Sequence, residues 1–429
     1  MSTTTTNPVL PRLLHGLASN ELTQLDRHLA IHGPLPAPRT LSPRALIEAV
    51  ERAGLRGRGG AAFPTARKMR AVHDAGGRPI VVANGCESEP LSAKDALLMR
   101  ELPHLVLDGA ELAARAVGAD EVIVAFEAPN TSAQMSLEAA LAQRRAARLD
   151  SVRVELFAAA ERFLTGQETA LVSQLNGGLP RPSFIPPRPT DRGVRRRPTL
   201  IQNVETLAHL ALIARYGADW YRACGTPAEP GSTLVTLAGA VPSPGVYEIE
   251  RGTPLADVFA AAGGGGSDIA AVLIGGYFGS WLPAARLGEI ELSNQALAHQ
   301  GAALGCGAIV ALPHGACGVA ETVRVAVYLA TQTARQCGPC VHGTAAIART
   351  LHGLAEGKPS RTAIADLDRW TVELPGRGAC HHPDGLAHFV ASALQVFRAE
   401  FDDHTRHGPC EGCAGAHVLP VPAAPAVIR

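Results

Sequence analysis

The sequence predicts an α/β chain: a Rossmann-like doubly wound sheet, then a small β-grasp-like module, then a helical bundle. Three observations carry this. Between residues 42 and 225 short apolar runs alternate with helical patterns in the order β-α-β-α-β; from Ser232 the texture turns to short β-rich runs punctuated by Gly and Pro; after Gly318 apolar residues recur every three or four positions to about Asp402. Residues 1–41 precede this pattern as an N-terminal extension, 232–315 hold the β-grasp-like module, 316–402 the helical region and 403–429 a tail.

Each element has a local reason. Ser42 as N-cap, Pro43 at the first helical position and apolar Leu46, Ile47 and Val50 predict an amphipathic helix stopped by Gly54. The next stretch, GLRGRGGAAFPTARKM (Gly54 to Met69), packs four glycines and four cationic side chains into sixteen residues, too Gly-rich for an ordinary helix interior. RPIVVANG then reads as a buried strand. A helix around His104–Val117, the strand Glu121–Phe126, an Ala-rich helix opened by Asn130, the strand SVRVELFA and a helix entered at TGQETALVSQL complete the alternation. In such a sheet the ligand crevice lies at the C-terminal strand ends, where the Gly54–Met69 loop and the NGCESEP loop would meet. Pro180 to Pro198 is too rich in Pro and Arg for regular structure, and Arg195, Arg196 and Arg197 read as a solvated charge run. LIQNVETLAHLALIARYG restores a helix. The stretch from Ser232 to the four-glycine run ending at Gly266 gives the β-grasp-like module, and VLPVPAAPAVIR reads as a loose tail.

At 429 residues the chain is long enough for two or three domains with substantial cores. Lys plus Arg equals Asp plus Glu at 39 each, so global charge gives no argument for a nucleic-acid or anionic-membrane partner, no nucleic acid is expected, and any anion site must be local. No apolar run approaches the roughly 20 residues that span a bilayer, so the chain is not itself membrane-spanning. MSTTTTNPVLPRLLHG lacks the pattern of an export signal, which makes the cytoplasm the expected compartment. Nine cysteines in a reducing compartment are then expected as free thiols. Cys86, Cys224, Cys306 and Cys317 stand alone and read as buried small hydrophobes, whereas Cys337-Gly-Pro-Cys340, Cys380 and Cys410-Glu-Gly-Cys413 have spacings suited to metal or redox chemistry.

Several stretches occur together in one order: GLRGRGGAAFPTARK, NGCESEP, GQETAL, NVETLA, AGAVPSPGVY, and CGPCVHG with a later Cys380. In this the chain resembles, from roughly Ala45 to Phe401, the FMN-binding, F-type flavoprotein component of NADH:quinone oxidoreductase and the related diaphorase subunits of NAD-linked hydrogenases and formate dehydrogenases. The resemblance implies an FMN domain, an SLBB-type β-grasp module and an iron–sulfur-binding helical domain. It implies hydride transfer from NADH or NADPH to FMN and single-electron release through a 4Fe-4S cluster to an iron–sulfur partner subunit, ferredoxin or quinone-linked complex.

Matched residue by residue, Gly57, Arg58, Gly59 and Gly60 correspond to the glycine-rich loop over FMN, whose missing side chains let backbone N–H groups approach flavin and phosphate. Arg58 and Lys68 would supply compensating charge, and Phe63 a wall for the dinucleotide. Asn84, Glu87 and Glu89 match a loop that contacts flavin, ribose and nicotinamide; Gly166 and Glu168 fall in GQET, and Asn203 and Thr206 in QNVET, expected to contact the FMN phosphate and ribitol. No acid or base is required for hydride transfer, so no catalytic side chain is assigned. Cys337, Cys340 and Cys380 match cluster ligands, but the first family cysteine is Ala334, where a 4Fe-4S cluster normally needs four thiolates. Three alternatives stand: a non-Cys fourth ligand such as His342 or a member of the Cys410/Cys413 pair, a three-iron or labile cluster, or none. Met69 and Arg188 replace aromatics expected to stack on adenine, and Ala62, Cys86 and Gln167 replace a glycine and two acids. An Arg near the adenosine would suit a 2′-phosphate, which keeps NADPH as an alternative. The other functional class is a non-catalytic or electron-conduit scaffold protein.

Overall fold

A computed structural model of the chain describes residues 10–17, 22–264 and 268–422. The opening threonines, the end of the four-glycine run and the last seven tail residues lie outside the described residues.

The first layer is a four-stranded parallel sheet of β1 (Ile80–Gly85), β2 (Glu121–Glu127), β3 (Arg153–Ala159) and β4 (Thr199–Asn203) in the order β3-β2-β1-β4. Around it run α1 (Leu25–His32), α2 (Pro43–Ala53), α3 (Thr65–Ala75), α4 (Lys94–Glu101), α5 (Pro103–Val117), α6 (Thr131–Ala146), α7 (Glu168–Leu175), α8 (Pro189–Arg192), α9 (Val204–Tyr216) and α10 (Ala218–Arg222). The expected punctuation is present. The Ser42 hydroxyl accepts the Ala45 N–H, Gly54 ends α2 in the left-handed conformation, and the Asn130 side chain accepts the Ala133 N–H at the start of α6.

Burial explains the centre of this layer. In β1, Ile80 to Ala83 are fully buried, and α5 is buried along nearly its whole length. Each such Val, Leu or Ile side chain contributes roughly 1.5–3 kcal/mol. At Gly109 a Cβ would lie 1.9 Å from the Leu207 carbonyl oxygen, so α5 and α9 approach as closely as they do because that residue has no side chain. The adjacent buried Asp108 takes His28 at 2.7 Å and Arg144 at 2.7 Å, and also pairs with Arg215. Those contacts tie the N-terminal extension, α6 and α9 to α5.

Two expectations fail here. LIQN begins not a helix but β4, hydrogen-bonded beside β1 with Ile80 opposite Thr199. A five-residue strand buried on both faces has no alternation for a sequence reading to detect. Nor are Arg195 and Arg197 merely solvated: Arg195 reaches the Glu121 carboxylate at 2.7 and 2.8 Å, and Arg197 reaches Asp120 at 2.8 Å, so the irregular loop is fastened to the start of β2.

The second layer is a mixed five-stranded sheet of β5 (Ser232–Gly239), β6 (Gly245–Glu250), β7 (Ile269–Ile274), β8 (Ser280–Pro283) and β9 (Ala308–Pro313), in the order β6-β5-β9-β7-β8, with α11 (Leu255–Ala261) and α12 (Asn294–His299). The third region is helical: α13 (Gly318–Thr331), α14 (Thr344–Ala355), α15 (Ala363–Glu373), α16 (His382–Val396) and α17 (Arg398–His407). Its core is continuous with one face of the second sheet, where Leu273, Trp281 and Val310 pack with Val325, Leu329 and Phe389. The described part of the tail is docked rather than loose. Val418 and Leu419 donate their N–H groups to the buried Glu321 carboxylate, and Arg324 donates to the Leu419 carbonyl at 3.0 Å. Among the described residues no helix is long and apolar enough to cross a membrane.

Candidate functional site

A cavity of about 440 Å³ opens at the C-terminal end of the parallel sheet and is walled by all three regions. The first contributes Arg58, Gly59 and Gly60, Asn84 at the end of β1, Glu87 and Glu89 beyond it, Gly166 before α7 and Asn203 at the end of β4. The second adds Gly275, Phe278, Gly279, Gly305 and Cys306, and the third His381 and His388. The loops after adjacent parallel strands therefore meet where a doubly wound sheet places its ligand.

Backbone approach dominates the geometry. The Asn84 amide donates to the Gly166 carbonyl at 2.9 Å and its oxygen accepts the Cys86 N–H at 3.1 Å, locking the loop after β1 to the turn before α7. A Cβ on Gly166 would sit 2.7 Å from the Cys86 carbonyl oxygen and 2.8 Å from the Ser88 hydroxyl, so only glycine permits this closure. Glu87 accepts from the Ser92 hydroxyl and from the N–H groups of Asp95 and Ala96, capping α4. Glu89 is held by the N–H groups of Leu91 and Tyr277, the latter at 2.8 Å, which joins the loop after β1 to the second sheet. Burial pushes the Glu89 carboxyl up to about 8 despite those two donors.

At the floor lies an ion network that the sequence reading did not anticipate. Lys94 pairs with Asp95 at 2.7 Å and Glu205 at 2.9 Å, and Asp95 accepts the Asn203 amide at 2.6 Å. Burial works against its charge, but the surrounding carboxylates of Asp95, Glu205 and Glu87 outweigh it and hold the Lys94 ammonium protonated. Burial likewise opposes the Glu205 carboxylate, yet Lys94, His209 and Arg58 keep it well below the usual range. Glu205 also accepts from the Thr233 hydroxyl and the Leu234 N–H, joining α9 to β5.

The expected contributors divide accordingly. Gly59, Gly60, Asn84, Glu87, Glu89, Gly166 and Asn203 face the cavity, and Gly57 lines a small adjoining one of about 20 Å³. Arg58 reaches the wall, but its guanidinium turns inward to the Tyr221 hydroxyl at 2.8 Å and the Ser232 carbonyl at 2.9 Å, while its N–H engages Thr206 at 2.9 Å. The expected charge of Arg58 at the flavin is therefore spent in the core, and the buried Thr206 hydroxyl is spent on the loop. The ammonium at the cavity is that of Lys94. Lys68 donates to the Ile201 carbonyl and pairs with Glu168 at 2.7 Å, both outside the cavity lining. Phe63 stays on the surface with the Arg67 guanidinium 5.4 Å from its ring centre.

Met69 is wholly buried in the core of the first layer. It is no adenine platform in this arrangement. Ala62 adopts φ of 48°, a left-handed conformation, at the position where a glycine was expected. Cys306, read above as a buried hydrophobe, lines the cavity with its thiol toward the Gly275 carbonyl; burial and the neighbouring Glu89 push that thiol up. Cys86 also lines the cavity, and burial, then Glu127 and Asp95, push its thiol up too. The glycine pairs around Gly275 and Gly305 were the available signal for this second wall.

Cys337, Cys340 and Cys380 are neighbours beyond the C-terminal end of α13. Burial raises the Cys380 thiol, and Cys340 and Cys337 add to the rise. Cys340 is buried with its Sγ accepting the Arg335 N–H at 3.1 Å, and Arg335 has φ of 54°. This contact closes the turn that follows Ala334, the position where a first cysteine was expected. The alternative that Cys410 or Cys413 completes this set fails on geometry: both lie against Cys317 at the opposite end of α13, about 20 Å away along a fourteen-residue helix.

Comparison with known proteins follows this partition. Residues 50–212 match the family model described as the Nuo51 FMN-binding domain. The second NADH-quinone oxidoreductase F-type protein of Rhizobium meliloti is 30% identical over 382 residues, covering 86% of this chain and 90% of the relative. The chain belongs to the F-type family of NADH-quinone oxidoreductase subunits. The F-type relative of Streptomyces coelicolor is likewise 30% identical, over 94% of this chain and 92% of its own. Two further regions of this F-type chain match: residues 234–275 an SLBB domain, and 320–404 the NADH-ubiquinone oxidoreductase-F iron-sulfur binding region. A solved NAD+-reducing [NiFe]-hydrogenase superimposes with a TM-score of 0.83 at 31% identity, covering 92% of this chain and 67% of that one. By membership the chain is an FMN-dependent NADH oxidoreductase component with an iron–sulfur region.

Proposed function

We propose that the cavity described above holds FMN, that NADH binds over it from the Phe63 and Glu168 side, and that electrons leave toward the Cys337–Cys340–Cys380 turn. The observation that carries this is the convergence of Gly59, Gly60, Asn84, Gly166 and Asn203 on one 440 Å³ cavity, with backbone closures that a Cβ would break. A bare-backbone cradle of that kind fits a flat, phosphorylated ring system. When bound, FMN supplies two-electron acceptance from a nicotinamide and one-electron release.

The chain's own residues position and tune. Lys94 lies buried at the cavity floor with its ammonium paired to Asp95 and Glu205, so it holds the floor in place. Glu87 and Asn203 are oriented by their capping bonds to α4 and α9. Burial raises the Glu89 carboxyl to about 8, and burial likewise raises the neighbouring Asp95, so the cavity carries carboxyls that can take up a proton near neutrality. Phe278 and His388, from the other two regions, close the far side; the His388 ring meets the Ser280 hydroxyl at 2.7 Å, and burial pulls its pKa down, which favours the neutral ring. Cys337, Cys340 and Cys380 would hold an iron–sulfur cluster through three thiolates, and an iron–sulfur partner subunit or ferredoxin is the acceptor. The Ala334 methyl favours one second reading: a flavoprotein that scaffolds a complex without a complete cluster of its own.

Steady-state reduction of an artificial acceptor by the flavin-loaded chain tests the donor. NADH is expected to give a kcat/KM at least tenfold above that for NADPH. A preference for NADPH would overturn the donor assignment, and turnover with neither would favour the scaffold reading.

A further inference from the structure

We propose that Cys317, His404, Cys410 and Cys413 form a single-ion metal site of the structural zinc type, separate from the flavin and iron–sulfur chemistry, that clamps the C-terminal tail to the start of α13. The ligand atoms of these four residues lie within 4.8 Å of one another, the one such group of His, Cys, Asp and Glu among the described residues. The Cys413 Sγ is 3.5 Å from the Cys317 Sγ and 3.8 Å from the Cys410 Sγ; the His404 Nε2 is 3.6 Å from the Cys317 Sγ and 3.8 Å from the Cys413 Sγ.

Those four distances match edges of a coordination tetrahedron, and the remaining two edges, both to the Cys410 Sγ, lie within 4.8 Å. With zinc–sulfur and zinc–nitrogen bonds of about 2.3 and 2.0–2.1 Å, ideal geometry demands S–S edges of about 3.8 Å and S–N edges of about 3.6 Å. An iron–sulfur cubane would interpose its own atoms and spread the thiols well beyond contact. Three sulfurs and one imidazole, with no position left open, is the donor set of a closed structural zinc site.

The surroundings are shaped for this purpose. Cys317 caps α13, and its Sγ accepts the Ala320 N–H at 3.3 Å, which fixes the sulfur at the head of the helix. The His404 Nε2 accepts the Cys410 N–H at 3.4 Å, so Nε2 is the unprotonated nitrogen, and zinc would take the lone pair that this long contact now holds. Cys410 and Cys413 sit on a tight turn closed by the Cys413 N–H on the Cys410 carbonyl at 3.1 Å. A Cβ on the intervening Gly412 would fall 2.8 Å from the Gly315 carbonyl oxygen, so the turn can press against the Cys317 loop only as glycine. Beyond the turn the tail runs past Glu321, its Pro420 carbonyl accepts the Tyr277 hydroxyl, and Pro422 reaches a side cavity that shares Glu87, Ser88 and Phe163 with the flavin cavity. Binding Zn2+ forms three Zn–S bonds and one Zn–N bond and releases the thiol protons to solvent, with no change of oxidation state.

The test is elemental analysis of the full chain purified anaerobically from zinc-supplied cells, with zinc K-edge absorption spectroscopy. About one zinc per chain in a shell of three sulfurs and one nitrogen is expected, undiminished in C337S and at least tenfold lower in C410S and C413S, whose tails trypsin should remove faster. Zinc at under a tenth of an equivalent, a shell of any other composition, zinc retained in both tail variants, or a Cys410–Cys413 disulfide in the anaerobic protein would each overturn the assignment. The spectroscopy on the unmutated chain decides even if a variant fails to fold.

Discussion

The flavin cavity and the Cys337 turn differ in what each has kept. Both hold a left-handed non-glycine residue, Ala62 at φ 48° and Arg335 at φ 54°, so both retain a backbone path that glycine would suit better. The cavity loses little by this, because its closures are made by Asn84, Gly166 and Asn203 and by backbone groups. The turn, on the proposed three-thiolate reading, has Ala334 in place of a fourth ligand. A site built from backbone tolerates side-chain drift; a site built from a counted set of thiolates does not.

The largest effect that could break this contrast lies at Gly166. G166A places a methyl 2.7 Å from the Cys86 carbonyl oxygen, and overpacking of roughly 1–3 kcal/mol should weaken FMN binding on the order of tenfold or more, read by flavin fluorescence titration. Unchanged affinity would mean that the closure does not shape the flavin site. Next comes the ligand count. C337S should lose most of the iron and sulfide while leaving flavin content intact, whereas A334C should raise both toward about four per chain. If A334C gains nothing, the turn is not a three-thiolate cluster site.

A smaller effect concerns Glu89. Its carboxyl is raised from 4.5 to about 8, so the folded chain binds more protons than the unfolded chain across that window, and the stability of the flavin-free protein falls as pH rises through it. E89Q should therefore gain on the unmutated chain between pH 5 and 8, measured as a growing difference in urea midpoint. The smallest effect is backbone relief: A62G should stabilise by about 0.5–1 kcal/mol, the left-handed cost less the extra freedom of glycine in the unfolded chain.

What was legible in the sequence was local. Ser42, Pro43 and Gly54 mark α2 because capping is settled within four residues, and the GLRGRGG and NGCESEP loops were placed together because parallel strands deliver their ends to one edge. Direction was not legible. Nothing in GLRGRGG says that the Arg58 guanidinium turns to Tyr221 and Ser232, since both partners lie more than 150 residues away. β4 reads as helix from sequence because four consecutive buried residues, Thr199 to Gln202, carry no period. Cys317 looks solitary because its companions arrive 87 to 96 residues later along the chain.

The central claim is that the three-walled cavity binds FMN and that NADH reduces it there. Its most direct measurement is the anaerobic absorption spectrum of the purified chain, with flavin quantified before and after one equivalent of NADH. About one FMN per chain, bleached on addition, is the predicted result; bound flavin that NADH leaves oxidised, or a folded chain that takes up no flavin, would contradict it.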